Sequence, residues 1–171
     1  MDMKKILAIA IAVLALFACA GVVSAGWFDW GDSGEVVNET YNFDKFTLDL
    51  PEGASTFNLS STYNGVYTNE FYVSWTYENG TYESISTFYS EGSNLVKSTD
   101  QFVSNWVNSG AKSEGTYGDW AIINVDGVPY TSGNGSYSGY ILAKQEGGVL
   151  YAIKGDNLPL MKKIADTFKK V

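Results

Sequence analysis

From Phe71 to Tyr89 the chain alternates large apolar and small polar side chains on either side of Asn79-Gly80. Phe71, Val73, Trp75 and Tyr77 interleave with Tyr72, Ser74, Thr76 and Glu78. Side chains of period two point to opposite faces of a strand, and Asn-Gly between two such runs is a strong hairpin signal. An antiparallel pair is therefore expected here. With a two-residue turn, Glu78 faces Thr81, Tyr77 faces Tyr82, Trp75 faces Ser84, Val73 faces Ser86 and Phe71 faces Phe88. The opposite face then carries Tyr72, Ser74, Thr76, Ile85, Thr87 and Tyr89, a mixture neither plainly wet nor plainly apolar.

The rest of the chain supplies similar pieces. Phe46, Leu48 and Leu50 alternate with Thr47 and Asp49 until Pro51-Glu52-Gly53 ends the run. Residues 93–109 repeat Leu95, Val96, Phe102, Val103, Trp106 and Val107 at helical spacing, and Gly110 closes them. A strand is expected over residues 120–125, then a long Gly/Ser-rich loop over 128–138. Residues 140–144 and 149–154 form a second hairpin around Gly147-Gly148, apolar on both faces and so expected mid-sheet. Leu158, Met161, Ile164, Ala165 and Phe168 make one stripe of a closing helix, with Asp156 or Asn157 as N-cap, Pro159 in the first turn and lysines opposite. These pieces predict an α+β domain: an antiparallel twisted sheet with one internal and one C-terminal helix packed on it, preceded by a hydrophobic leader helix.

The leader is Lys4 and Lys5, an uncharged run from Ile6 to Val23, and Val23-Ser24-Ala25 before Gly26. This pattern is that of an export signal. The apolar run exceeds the roughly 7 to 15 residues of a cleavable signal, so three versions stand: cleavage after Ala25, retention of residues 6–23 as an anchor, and a lipobox-like Leu16-Phe17-Ala18-Cys19 with lipid on Cys19. In each, the lysines hold the N-terminus inside and the domain faces outward. The expected localisation is secreted or extracytoplasmic. Trp27 and Trp30 then read equally as a membrane-interface belt or as core caps. The expected division is residues 1–25 as signal peptide or anchor, 26–40 as an acidic linker and 41–171 as a single domain.

Past the leader there is no histidine, arginine or cysteine, and the acids outnumber the lysines two to one. Imidazole bases, thiol nucleophiles and nitrogen or sulfur metal sites are excluded. No cofactor or metal is expected, and a nucleic-acid partner would require a basic patch. The one lysine cluster, Lys162, Lys163, Lys169 and Lys170, is expected along the last helix, where it complements the macrodipole. Paired carboxylates are the catalytic chemistry that survives. Glu70, Glu78, Glu83, Glu91, Glu114 and Asp119 are the acids available to a polysaccharide hydrolase, the alternative to a non-catalytic module.

Binding is the better-supported class. Tyr130 and Tyr137 flank a loop of paratope-like composition and are the candidate ligand-binding residues, against the reading that such rings pack a β-rich core. Asn38, Asn58, Asn79 and Asn134 each begin a glycosylation sequon; Asn38 and Asn134 lie in expected loops and are the candidate modified positions, whereas Asn79 is explained by the hairpin.

The opener Phe46-Thr47-Leu48-Asp49-Leu50-Pro51-Glu52-Gly53, the strand Val149-Leu150-Tyr151-Ala152-Ile153 and the helix Ile164-Ala165-Asp166-Thr167-Phe168-Lys169 resemble PsbP/DcrB-like sandwich domains. The leader and the Lys-only, Asn/Tyr-rich composition are similar to those of small exported proteins of methanogenic archaea. The resemblance implies a non-catalytic accessory or binding module. Its expected partner is a membrane or cell-envelope component.

Overall fold

The computed structural model describes residues 38–130 and 134–171. The leader, Cys19, Trp27, Trp30 and most of the expected linker lie outside the described residues. Among the described residues no helix is long and apolar enough to cross a membrane.

Ten strands and two helices are described. β1 (Asn38–Asn42), β2 (Phe46–Pro51) and β10 (Lys169–Lys170) form a small sheet in the order β1-β2-β10. The large sheet has the order β3-β4-β5-β9-β8-β7-β6, built from β3 (Ser55–Tyr63), β4 (Val66–Thr76), β5 (Tyr82–Gly92), β6 (Lys112–Tyr117), β7 (Trp120–Asn124), β8 (Tyr140–Glu146) and β9 (Val149–Gly155). Neighbouring strands are antiparallel throughout. The helices are α1 (Thr99–Asn108) and α2 (Leu158–Asp166).

The α+β class and its antiparallel strands match the expectation, but the single sheet does not. Phe46, Leu48 and Leu50 of β2 are buried against α2 and against Phe71, Val73, Trp75, Tyr151 and Ile153 of the large sheet. The opposite face of the large sheet packs under α1, where Phe102 and Trp106 meet Ile123, Ile141, Ala143, Leu150 and Ala152. β8 and β9 are thus buried on both faces, which is why neither shows an alternating pattern. Each fully buried side chain of this size contributes about 1.5–3 kcal/mol.

The β4–β5 register corrects the expected one. The loop holds three residues, Glu78, Asn79 and Gly80: Gly80 N–H donates to Tyr77 C=O at 2.8 Å, Tyr77 N–H donates to Thr81 C=O at 2.8 Å, and Gly80 takes φ +83°. This is a type I turn closed by a bulge. Trp75 now faces Glu83, Val73 faces Ile85 and Phe71 faces Thr87. One residue of slip exchanges the faces of the return strand. Ile85 and Tyr89 join the α2-side core, while Phe88 joins the α1-side core. The expected register would have put Ser84 and Ser86 into the first core in their place. Burial of apolar side chains on both faces of β5 overrides the preference of Asn-Gly for a two-residue turn.

A two-residue turn occurs instead at Asn64-Gly65, with φ +47° and +76°, and pairs β3 with β4 from Tyr63↔Val66 to Ser55↔Ser74. Asn38, Glu39 and Thr40, assigned from sequence to the linker, pair with Pro51, Leu50 and Asp49 in β1. α1 is shorter than residues 93–109: Ser98 is the N-cap, its hydroxyl accepting from Gln101 N–H at 3.1 Å. For α2 the cap is Asn157, and Phe168 lies beyond the helix, stacked on Phe46 at 5.5 Å. Lys169 and Lys170 belong to β10 rather than to the helix.

Candidate binding surface

β3 is the one long strand of the large sheet whose side chains stay largely in water. Its residues on the α1 side are Ser55, Phe57, Leu59, Ser61 and Tyr63, and Phe57 is 61% exposed, Leu59 40% and Tyr63 44%. Phe57 leans on Tyr72 of β4 with ring centroids 6.4 Å apart. Pairing extends that row to Ser86 of β5, Lys154 of β9 and Ile141 of β8. The parallel row runs Leu59, Glu70, Phe88, Ala152 and Ala143. α1 covers the β7–β8 end of these rows and leaves the β3 end open.

Between the two ends lies an ionisable cluster. Glu70 is 4% exposed, and burial pushes its carboxyl above the usual carboxylate range against hydrogen bonds from Ser86 and Tyr72 and the charge of Lys154. Burial lowers the Lys154 ammonium against Glu70 and Asp156. The ammonium stands 5.1 Å from the centroid of the Tyr137 ring. Desolvation is the larger influence on both groups, and Glu70 is shut off from solvent, so its carboxyl is not presented to a substrate.

Tyr137 and Tyr130 do not form an open paratope. Residues 125–130 and 134–139 pair with one another through Gly127 N–H to Tyr137 C=O, Tyr137 N–H to Val128 C=O and Tyr130 N–H to Gly135 C=O, with a bridge between Pro129 and Ser136. Tyr137 is 3% exposed, edge-on to Trp106 at 5.3 Å and to Tyr130 at 4.7 Å. Its hydroxyl finds no hydrogen-bond partner among the described residues, and burial, with Tyr130 and Glu70 nearby, pushes its pKa up to about 12. The ring of Tyr137, an expected ligand-binding residue, is placed in the α1-side core with Trp106 and Val128 rather than on the surface. Tyr130 is half-buried beside it.

Asn38 and Asn134 are both exposed. Asn58 lies on β3 with its amide donating to Asn69 at 3.3 Å, and Asn79 accepts from Thr81 N–H at 2.9 Å inside its turn.

The six acids are spread over β4, β5, β6 and two turns. β4 and β6 stand five strands apart, about 24 Å at 4.8 Å per strand, against the 5–10 Å of a catalytic pair. Glu91 pairs with Lys45 at 3.4 Å, Glu83 accepts from Asn157 at 3.3 Å and Glu114 accepts from Asn124 at 3.0 Å. An open concavity of about 430 Å3 at the N-terminus of α1, lined by Lys97, Ser98, Asp100 and Gln145 among others, contains one carboxylate. Among the described residues no three metal-ligating side chains converge.

Sequence reasoning missed β3 altogether. The signal present was Asn64-Gly65 between Tyr63 and Val66, with Phe57 and Leu59 two residues apart upstream. Comparison with known proteins returns no match: no family model, no curated protein and no solved structure aligns with the chain.

Proposed function

We propose that the chain is an exported, non-catalytic binding module of the cell envelope or extracellular space, and that it engages its partner through β3 and the aromatic face beside it. The observation that carries this reading is the clustering of three exposed large side chains, Phe57, Leu59 and Tyr63, on one face of a single uncharged edge strand, whereas the other exposed ones among the described residues, Tyr82, Val107 and Val171, lie singly on separate elements. The export leader supports an extracytoplasmic site of action. The PsbP/DcrB-like resemblance implies the same accessory class. A side-chain inventory without imidazole, guanidinium or thiol past the leader agrees with binding rather than turnover.

The purified chain is expected to co-sediment with isolated cell envelopes. Phe57→Ala with Leu59→Ala lowers that binding at least about tenfold, as loss of central apolar anchors does, whereas Tyr82→Ala, an exposed ring on another strand, leaves it unchanged. Equal binding by the β3 variant and the parent overturns the reading. Turnover of a glycan, abolished by a single Glu or Asp substitution, would replace it with the hydrolase alternative. Intact-mass analysis of membrane and medium fractions distinguishes cleavage after Ala25, lipid on Cys19 and sugars on Asn38 or Asn134.

A further inference from the structure

The two edges of the large sheet are built differently. β6 carries Lys112 and Glu114, a register break between Ser113 and Thr116, and Gly115 at φ +88°. Charges and bulges of this kind keep a foreign strand from adding to an edge. β3 has neither. Its nine residues, Ser55 to Tyr63, contain no charge and no proline and keep an unbroken register against β4.

The direction of its free backbone groups follows from the turn. Tyr63 and Val66 flank two residues, so they can pair only by exchanging both of their hydrogen bonds. Backbone groups alternate in direction along a strand, so the odd-numbered residues of β3 bond β4. Thr56, Asn58, Ser60 and Thr62 therefore turn both N–H and C=O toward solvent.

We infer that the occupant of this edge is β3 of a second copy of the chain, joined antiparallel about a two-fold axis at Leu59. The inference rests on the reading of β3 as the contact surface and deepens it: the envelope partner meets the α1-side face that the two joined β3 strands and the Tyr72 rings beside them share, not the strand edge itself. Leu59 is the midpoint of the strand, so centring there overlaps its whole length: Ser55 meets Tyr63, Phe57 meets Ser61 and Leu59 meets its own copy. In the same register Thr56 pairs with Thr62 and Asn58 with Ser60, which satisfies every outward N–H and C=O. The exposed Phe57 and Leu59 of both copies then share one face across the seam and leave water together. Charge selects the same surface, because two chains of net charge −8 repel over most approaches and β3 is the edge that brings no acid against another. The pairing is isologous and uses up both β3 edges. At the ends of the joined large sheet only the guarded β6 edges remain, so strand addition along this sheet stops at the dimer.

The test is sedimentation equilibrium of the full exported chain, in a Cys19→Ser background, between about 1 and 100 µM, the range that spans weak specific association. A reversible dimer is expected. Ser60→Pro deletes one outward N–H in each copy without removing a bond to β4, and is expected to weaken the dimer at least about 100-fold, roughly 2.7 kcal/mol. Leu59→Lys sets two ammonium groups directly opposite and gives the same result should the proline perturb the fold by circular dichroism. Leu59→Cys is expected to form an intermolecular disulfide, since directly opposed non-hydrogen-bonded residues have Cβ atoms about 4.5–5.5 Å apart. Phe57→Cys, about 14 Å from its mate in this register, is expected not to. A monomer at about 100 µM, a dimer indifferent to both β3 variants, or faster cross-linking at position 57 overturns the inference. If the chain is monomeric yet binds envelopes through β3, the second copy is refuted and the binding reading survives; if envelope binding also ignores β3, both fail.

Discussion

Tyr137 joins the α1-side core at the cost of a hydroxyl without a hydrogen-bond partner among the described residues. An unsatisfied buried polar group costs about 1–3 kcal/mol, so Tyr137→Phe is expected to stabilise the chain by about 1 kcal/mol in urea denaturation. Tyr137→Ala, in contrast, removes a ring packed on Trp106 and Tyr130 and costs about 3–5 kcal/mol. A ligand-displaying tyrosine would show neither change. Glu70 makes a pH-dependent counterpart. Because burial holds its carboxyl above the ordinary value, the folded chain keeps a proton that the unfolded chain releases, and this group's contribution to stability declines as pH rises from about 4.3 through the folded pKa. Glu70→Gln lacks that decline. The stability of Glu70→Gln relative to the parent should therefore increase from pH 4.5 to pH 7, and a flat difference would refute the assignment. The candidate tyrosines were visible in the sequence, but their burial was not, since β propensity and recognition chemistry favour the same residue.

At the level of elements, two Asn-Gly pairs with the same local chemistry close different turns. Asn64-Gly65 forms the two-residue turn with both residues at positive φ, whereas at Asn79-Gly80 only the glycine is left-handed and the loop takes a third residue. The dipeptide announces a hairpin; the packing of β5 between two cores chooses the register. Two glycines of the β4–β5 hairpin, Gly80 at its turn and Gly92 at its far end opposite Val66, should respond differently to substitution. A Cβ at Gly80 meets open space, so Gly80→Ala pays conformational strain alone, about 1–2 kcal/mol. At Gly92 the added Cβ would collide with the Gly65 carbonyl oxygen and crowd Val66, and Gly92→Ala is expected to cost at least about 3 kcal/mol. Thermal denaturation of the two variants separates these cases. α1, α2 and the β8–β9 hairpin were legible because each shows a strong period or a turn glycine. β3 and β6 were not, because strands exposed on both faces need no apolar alternation.

Across the whole molecule, Phe168 ties the two sheets together. It stacks on Phe46 of the small sheet and meets Tyr151 and Trp120 of the large one edge-on at 5.1 and 5.3 Å, with the Lys144 ammonium 3.9 Å from its ring. Thr167 adds a polar link, accepting from Asp49 N–H at 2.8 Å while donating to Ile164 C=O at 2.7 Å. Both sheets are therefore expected to unfold in one cooperative transition. Phe168→Ala lowers its stability by about 3 kcal/mol, and separate transitions in calorimetry would contradict the coupling. The sequence by itself determined the α+β class, the antiparallel pairing and the two amphipathic helices, since local periodicity, caps and turn residues act over a few neighbours. Tertiary structure alone decided that β2 leaves the large sheet for a layer of its own, that Tyr137 is core, and that β3 is left open. Those outcomes depend on which apolar faces compete for the same partner, and that competition is between residues far apart along the chain.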